Sequence, residues 1–344
     1  MDYRNYEKFV IDKLSEKSLW SDKYSLKVND NNRGQSKSIF VVNGEQKIFI
    51  AKFFTYTKDN EIDIASEKWE EINNMNDYIL FLESNPNCAT NVEMIIELLQ
   101  LRKRCFGRYI LASNMTTNIF PKIFYYEEEI KINNTICGFI VEKAINGITL
   151  EDYMRSIDRK KEDMLDIGIK FLDIISLKMC GYFEHNFVHR DLSPDNIMIK
   201  FGIEIDYIII DPGVVKIVGS TSTKSGLGLC KRLYSSPEQF LGNASKVDFT
   251  SDIYTLGIVI YELITGINLI NLYDNNNKMP HKEISMKIDR DVEDMFYSSI
   301  KIDSDKAGNL YLIIRKMLQF KNENRYNTPE SFRESISVLV EGDD

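Results

Sequence analysis

The densest group of reactive side chains in this 344-residue chain is the run His189-Arg190-Asp191-Leu192-Ser193-Pro194-Asp195-Asn196. Beyond it an apolar, strand-like stretch (205–210) ends on Asp211, followed by Pro212 and Gly213. A strand that delivers a carboxylate beside a loop already holding an aspartate and an asparagine suits magnesium. Hard cations take carboxylate and carbonyl oxygens, one or two from the protein, with water and phosphate completing the shell. Taken alone, these are also what polar loop residues capping turns look like, so the residues that accompany them decide.

The elements that must position this group follow from periodicity. Extended runs at 36–42 and 46–54 flank Asn43-Gly44, which predicts a hairpin whose two turn residues both tolerate positive φ. Residues 61–83 and 91–112 read as helices, the second through Val92, Ile95, Ile96 and Leu99. Strand-like runs return at 118–126 and 135–143. From 148 the character turns helical, with Met164, Ile167, Phe171, Ile174 and Ile175 forming one apolar stripe. Two short strands (196–200 and 206–210) precede a Ser/Thr/Gly-rich loop at 217–229. The segment 251–266 is apolar nearly all round, as a helix buried inside its domain must be. The expected fold is α+β: a β-rich N-terminal part over 24–143 with a helical insertion near 60–115, and a mainly α-helical part over 144–344. Residues 1–23 form an N-terminal extension.

Composition narrows the partners. A formal charge of −9 argues against a nucleic-acid binder, and 43% hydrophobic residues suffice for a core. The five cysteines, Cys88, Cys105, Cys137, Cys180 and Cys230, lack CxxC spacing, which suggests neither a disulfide framework nor a zinc site. No apolar run approaches the roughly 20 residues that span a bilayer. The charged first residues lack a signal-peptide centre. A soluble cytoplasmic protein without a membrane segment is expected.

The ordered motifs resemble the eukaryotic-type protein kinase superfamily, over roughly 24–340. Its catalytic loop HRDLxxxN is present from His189 to Asn196, and its DFG appears as Asp211-Pro212-Gly213. Its APE appears as Ser236-Pro237-Glu238, its buried-helix aspartate as Asp252, and the arginine that pairs with the APE glutamate as Arg325. The resemblance implies a two-lobed fold and transfer of the γ-phosphoryl group of ATP to Ser/Thr hydroxyls of a protein substrate, autophosphorylation included. In that family Asp191 accepts the substrate proton, while Asn196 and Asp211 hold magnesium (or manganese) on the ATP phosphates.

The N-terminal counterparts are less regular. Lys52 is the candidate for the strand lysine on the α/β-phosphates, with Ala51 directly before it. The phosphate-covering loop keeps one glycine, Gly34, with Asn32 and Lys37 at the other two positions. The helix glutamate that pairs with Lys52 is Glu97 by its apolar neighbours or Glu71 by its distance from Lys52. For adenine, Val141 would line the back of the site, while Glu142 and Ala144 would offer backbone groups.

Three departures bear on activity. Ser193 stands where Ser/Thr kinases carry a phosphate-neutralising lysine, Lys231 where they carry a threonine, and Pro212 where they carry phenylalanine. The Lys231 ammonium is a candidate replacement for the missing lysine. Ser220, Thr221, Ser222, Thr223 and Ser225 are candidate phosphorylation sites that Arg190 would grip. A pseudokinase acting as a nucleotide-binding or interaction scaffold is the alternative, supported by the degenerate glycine loop, Pro212 and Ser193. A small-molecule kinase of the aminoglycoside or choline type fits less well, because Arg190 and the segment from Ser236 to the buried helix are present.

Overall fold

A computed structural model describes residues 3–29, 36–57, 66–88, 91–116, 119–160, 163–212, 216–217, 231–274, 280–300 and 305–340. The chain divides into two compact units, Met1–Asn114 with Pro121–Asn146, and Met115–Phe120 with Gly147–Asp344.

The first unit runs α1 (Arg4–Glu16), β1 (Ser25–Val28), β2 (Ser36–Asn43), β3 (Gln46–Thr55), α2 (Ser66–Glu71), α3 (Met75–Ser84), α4 (Val92–Met115), β4 (Ile123–Ile132) and β5 (Thr135–Lys143). Its strands form an antiparallel sheet in the order β1-β2-β3-β5-β4. Strand alternation sends Ala51, Phe53, Phe139 and Val141 to one face, where Tyr6, Val10 and Leu14 of α1 cover them. Ile136 and Ile140 point to the other face, under Trp69, Tyr78 and Leu82 and the α4 stripe Ile95, Leu99, Phe106 and Tyr109. The segment expected as an extension thus supplies a covering helix for the sheet, and the expected insertion covers the opposite face. A β-carbon on Gly138 would lie 2.7 Å from the Phe106 ring, so α4 approaches β5 this closely only over a glycine.

The predicted hairpin forms, shifted by one residue. Asn43 stays in β2, paired with Gln46, and the turn is Gly44-Glu45 with Gly44 at φ 61°. Only the first turn residue needs positive φ, as in the II′ geometry that matches strand twist, and glycine meets that need without strain.

The second unit contains β6 (Ile148–Thr149), α5 (Leu150–Ser156), α6 (Met164–Glu184), β7 (Phe187–Val188), β8 (Ile197–Lys200), β9 (Asp206–Ile209), β10 (Lys216–Ile217), α7 (Pro237–Phe240), α8 (Phe249–Thr265), α9 (Leu269–Tyr273), α10 (His281–Ile300), α11 (Asp305–Met317) and α12 (Pro329–Val340). Its short strands pair as β6-β8-β9 and β7-β10. The central helix α8 is buried on every side from Phe249 to Tyr261, as its all-round apolar sequence requires. Asp248 and Ser251 cap its start reciprocally, and Gly266 at φ 75° ends it. No helix of the described residues is long and apolar enough to cross a membrane, and none of the described cysteines forms a disulfide.

Candidate active site

In the second unit the reactive group is built around Asp252 of α8. Its Oδ2 accepts from the His189 amide (2.6 Å) and the Tyr182 hydroxyl (2.9 Å), and its Oδ1 accepts from the Arg190 amide (2.8 Å). Full burial pushes its pKa up to about 6 although all three bonds favour the ionised form. The buried helix therefore serves as a post onto which the loop after β7 is tied. The tie forces Arg190 into the left-handed region at φ 70°, an unusual conformation for a side-chain-bearing residue.

His189 links this loop to the strand that delivers Asp211. The Asp191 amide donates to His189 Nδ1 (3.3 Å), which assigns the ring hydrogen to Nε2, facing the Ile210 carbonyl at 3.2 Å. Burial lowers the imidazole pKa to about 4, so the ring is neutral at physiological pH. On the other side, the Ile210 amide donates to the Asn196 carbonyl (2.9 Å), continuing the β8–β9 ladder in which Ile197 faces Ile209. Asp211 follows at φ 56°, again left-handed. The turn of the chain and the ladder bring Asn196 and Asp211 to one end of the same strand pair.

Asn196 Nδ2 donates to both the Asp191 carbonyl and Asp191 Oδ2, each at 2.8 Å. The second carboxylate oxygen, Asp191 Oδ1, is buried and has no hydrogen-bond partner among the described residues. Burial pushes the Asp191 pKa up to about 6; the nearby Lys231 charge pulls the other way. With its nitrogen committed to Asp191, the Asn196 amide keeps its oxygen for another partner. Among the described residues no cluster of three His, Cys, Asp or Glu could hold a metal unaided. An amide oxygen and a carboxylate, the groups that Asn196 and Asp211 carry, are the ligand types that magnesium shared with phosphate takes.

Lys231 reaches into this group. Its ammonium donates to Ser193 Oγ (2.8 Å) and to Asp195 Oδ1 and Oδ2 (2.8 and 2.7 Å), and lies 3.5 Å from Asp191 Oδ2. Asp195 was not singled out by its sequence; the available signal was an acid two residues after the serine that replaces the family lysine. Below the group, Glu238 and Arg325 form the expected pair at 2.8 and 3.1 Å. The Ser251 hydroxyl donates to the same glutamate at 2.6 Å. Asp195 and Glu238 both have pKa values below the usual carboxylate range: burial raises each, and the bonds and charges of Lys231 and Arg325 outweigh it.

In the first unit, Lys52 is buried on β3. Its ammonium lies 2.7 Å from Glu142 Oε1 and 3.0 Å from the Tyr109 hydroxyl, which donates to Glu142 Oε2 at 2.6 Å. Glu97 is exposed on α4, and Glu71 is exposed in a pair with Lys68. The side chain of Val141 packs on the opposite face of the sheet with Ala51 and Phe53. The Ala144 amide, expected to face adenine, donates to the Ile48 carbonyl at 3.1 Å. Tyr109 was missed, although it continues the inner stripe of α4 and carries a hydroxyl on that face. Lys37 bonds the Tyr6 hydroxyl at 2.8 Å. Asn32, Gly34, Gly213, the five Ser/Thr residues at 220–225 and Cys230 lie outside the described residues.

A family model described as the protein kinase domain matches residues 110–335. The chain therefore belongs to the protein kinase family, of the eukaryotic type. It is 32% identical over 129 residues to a probable serine/threonine-protein kinase PknB of Lactococcus lactis, covering 37% of this chain and 20% of that protein. It is 25% identical to the serine/threonine-protein kinase PknB of Mycolicibacterium smegmatis, over 63% of this chain and 33% of the relative. A tyrosine-protein kinase, MasK of Myxococcus xanthus, is 26% identical over 59% of this chain and 31% of its own length. The chain thus spans a third or less of these relatives. Among solved structures, the kinase domain of Mycobacterium tuberculosis PknI superposes with a TM-score of 0.53 at 13% identity, covering 92% of this chain and 96% of that one. At that identity the likeness concerns the fold.

Proposed function

We propose that the chain is a protein kinase that transfers the γ-phosphoryl group of Mg-ATP to serine or threonine hydroxyls, its own activation segment included. The carrying observation is Asp191: one carboxylate oxygen is fixed by Asn196, and the other is buried without a partner among the described residues. A buried acceptor left open is costly unless a substrate donor completes it, which is what a base awaiting a hydroxyl requires. Asp191 orients that hydroxyl and takes its proton. Asn196 and Asp211 would hold magnesium, which when bound neutralises phosphate charge, and Lys52 would contact the nucleotide phosphates. Serine/threonine preference is supported by the Lys231–Ser193 bond, which keeps a lysine–hydroxyl pair at these two positions with the residues exchanged. The ATP supply and the absence of a disulfide among the described cysteines fit a cytoplasmic setting.

The test is incubation with radiolabelled Mg-ATP and a generic protein substrate. Wild type is expected to label the substrate and itself. Asp191→Asn keeps the shape but removes the base, so labelling falls by roughly 10² or more while ATP affinity changes little. Asp211→Asn loses both. Equal labelling in all three proteins would end the kinase reading.

A further inference from the structure

A buried ammonium is costly to desolvate and persists only with a counter-charge and good hydrogen bonds. For Lys52, at 5% exposure, the counter-charge comes from within its own sheet. Lys52 faces Ile140 across the β3–β5 ladder, and Glu142 stands two residues along β5, hence on the same face. Its Oε1 takes the ammonium at 2.7 Å. Tyr109 closes a triangle, accepting from Lys52 at 3.0 Å and donating to Glu142 Oε2 at 2.6 Å. The helix α4 therefore presents a phenol here, while its Glu97 is exposed.

We propose that Glu142 is the positioning residue for Lys52, holding the ammonium where it meets nucleotide phosphate, with Tyr109 as the brace of both. This rests on the kinase reading above. Because β3 and β5 are joined by backbone hydrogen bonds, a carboxylate on β5 cannot swing away from a lysine on β3 as one on a helix can. Nucleotide binding then does not wait on the placement of a glutamate-bearing helix.

The test measures Mg-ATP affinity by calorimetry and phosphotransfer by label, on the full chain. Glu142→Gln is expected to weaken Mg-ATP binding about tenfold, the lower end of what losing an orienting partner of a ligating group costs. KM for ATP should rise more than kcat falls, and Glu142→Asp should recover part of the loss. In a Lys52→Met background the same Glu142→Gln change should alter affinity less than about twofold, because the residue acts through the lysine. If Glu142→Gln does not fold, Tyr109→Phe, which keeps the ion pair, should still weaken binding about threefold. The proposal is overturned if the affected variant binds like wild type, if the loss is equal without Lys52, or if Glu97→Gln weakens binding more than Glu142→Gln does. A wild-type chain that binds no Mg-ATP removes the kinase reading and this proposal together. Normal binding that is indifferent to Glu142 removes this proposal alone.

Discussion

Ser193 and Lys231 hold, in exchanged order, the residue types that Ser/Thr kinases place at these two positions. The hydroxyl and the ammonium remain bonded at 2.8 Å, and the charge stays within 3.5 Å of the Asp191 carboxylate. A positive charge aimed at developing negative charge acts mainly in the transition state, so its removal shows in kcat more than in KM. Lys231→Ala is expected to lower kcat roughly 10²-fold, the scale of losing one stabilising donor, with a small change in KM for ATP. The double exchange Ser193→Lys with Lys231→Thr should recover most of that loss, since it moves the charge along an existing bond. Steady-state phosphotransfer on the three proteins decides this: unchanged turnover in Lys231→Ala would show that the ammonium only anchors Asp195.

Between elements, a tight requirement lies where α4 crosses β5 at Gly138. A side chain there would drive into Phe106, one turn from Tyr109. Gly138→Val is expected to destabilise the first unit by about 1–3 kcal/mol, the range for overpacking. It should also loosen the Tyr109 brace on Lys52. A lower urea midpoint by tryptophan fluorescence, together with weaker Mg-ATP binding, checks both effects; weaker folding with unaltered binding would uncouple the helix from the lysine. The same crossing shows what the chain made legible. The catalytic loop is contiguous, so His189 to Asn196, Asp211, Asp252 and the Glu238–Arg325 pair were readable from ordered motifs. Hairpin and helices followed from turn residues and periodicity. The facing of β5 did not, because Ile136 to Glu142 is buried on both sides and shows no alternation. A one-residue slip exchanges Val141 and Glu142 between faces, and only the register with Lys52 fixes it. The partner of Lys52 was hidden for the same reason, since helix glutamates could be ranked by spacing but a strand glutamate only by pairing.

Each of the two units has its own core, and both tryptophans, Trp20 and Trp69, belong to the first. Tryptophan fluorescence therefore reports that unit, whereas far-ultraviolet circular dichroism reports both. In the second unit, Glu238 and Arg325 are a buried pair whose glutamate has a pKa below its ordinary 4.5: burial raises it, and the Arg325 bonds and charge lower it by more. A carboxylate with a depressed folded pKa contributes stability above its unfolded value and loses it as pH falls through the folded value. Glu238→Gln strands a buried guanidinium, which costs about 3–5 kcal/mol where the wild-type pair is intact. At pH 6 the variant should therefore show a clearly lower dichroism midpoint in urea with its tryptophan transition unmoved. As pH falls below about 4.5, wild type loses the contribution that the variant already lacks, so the two midpoints should converge. A gap that stays constant down to pH 3 would mean that the ionised state of Glu238 does not hold the second unit together.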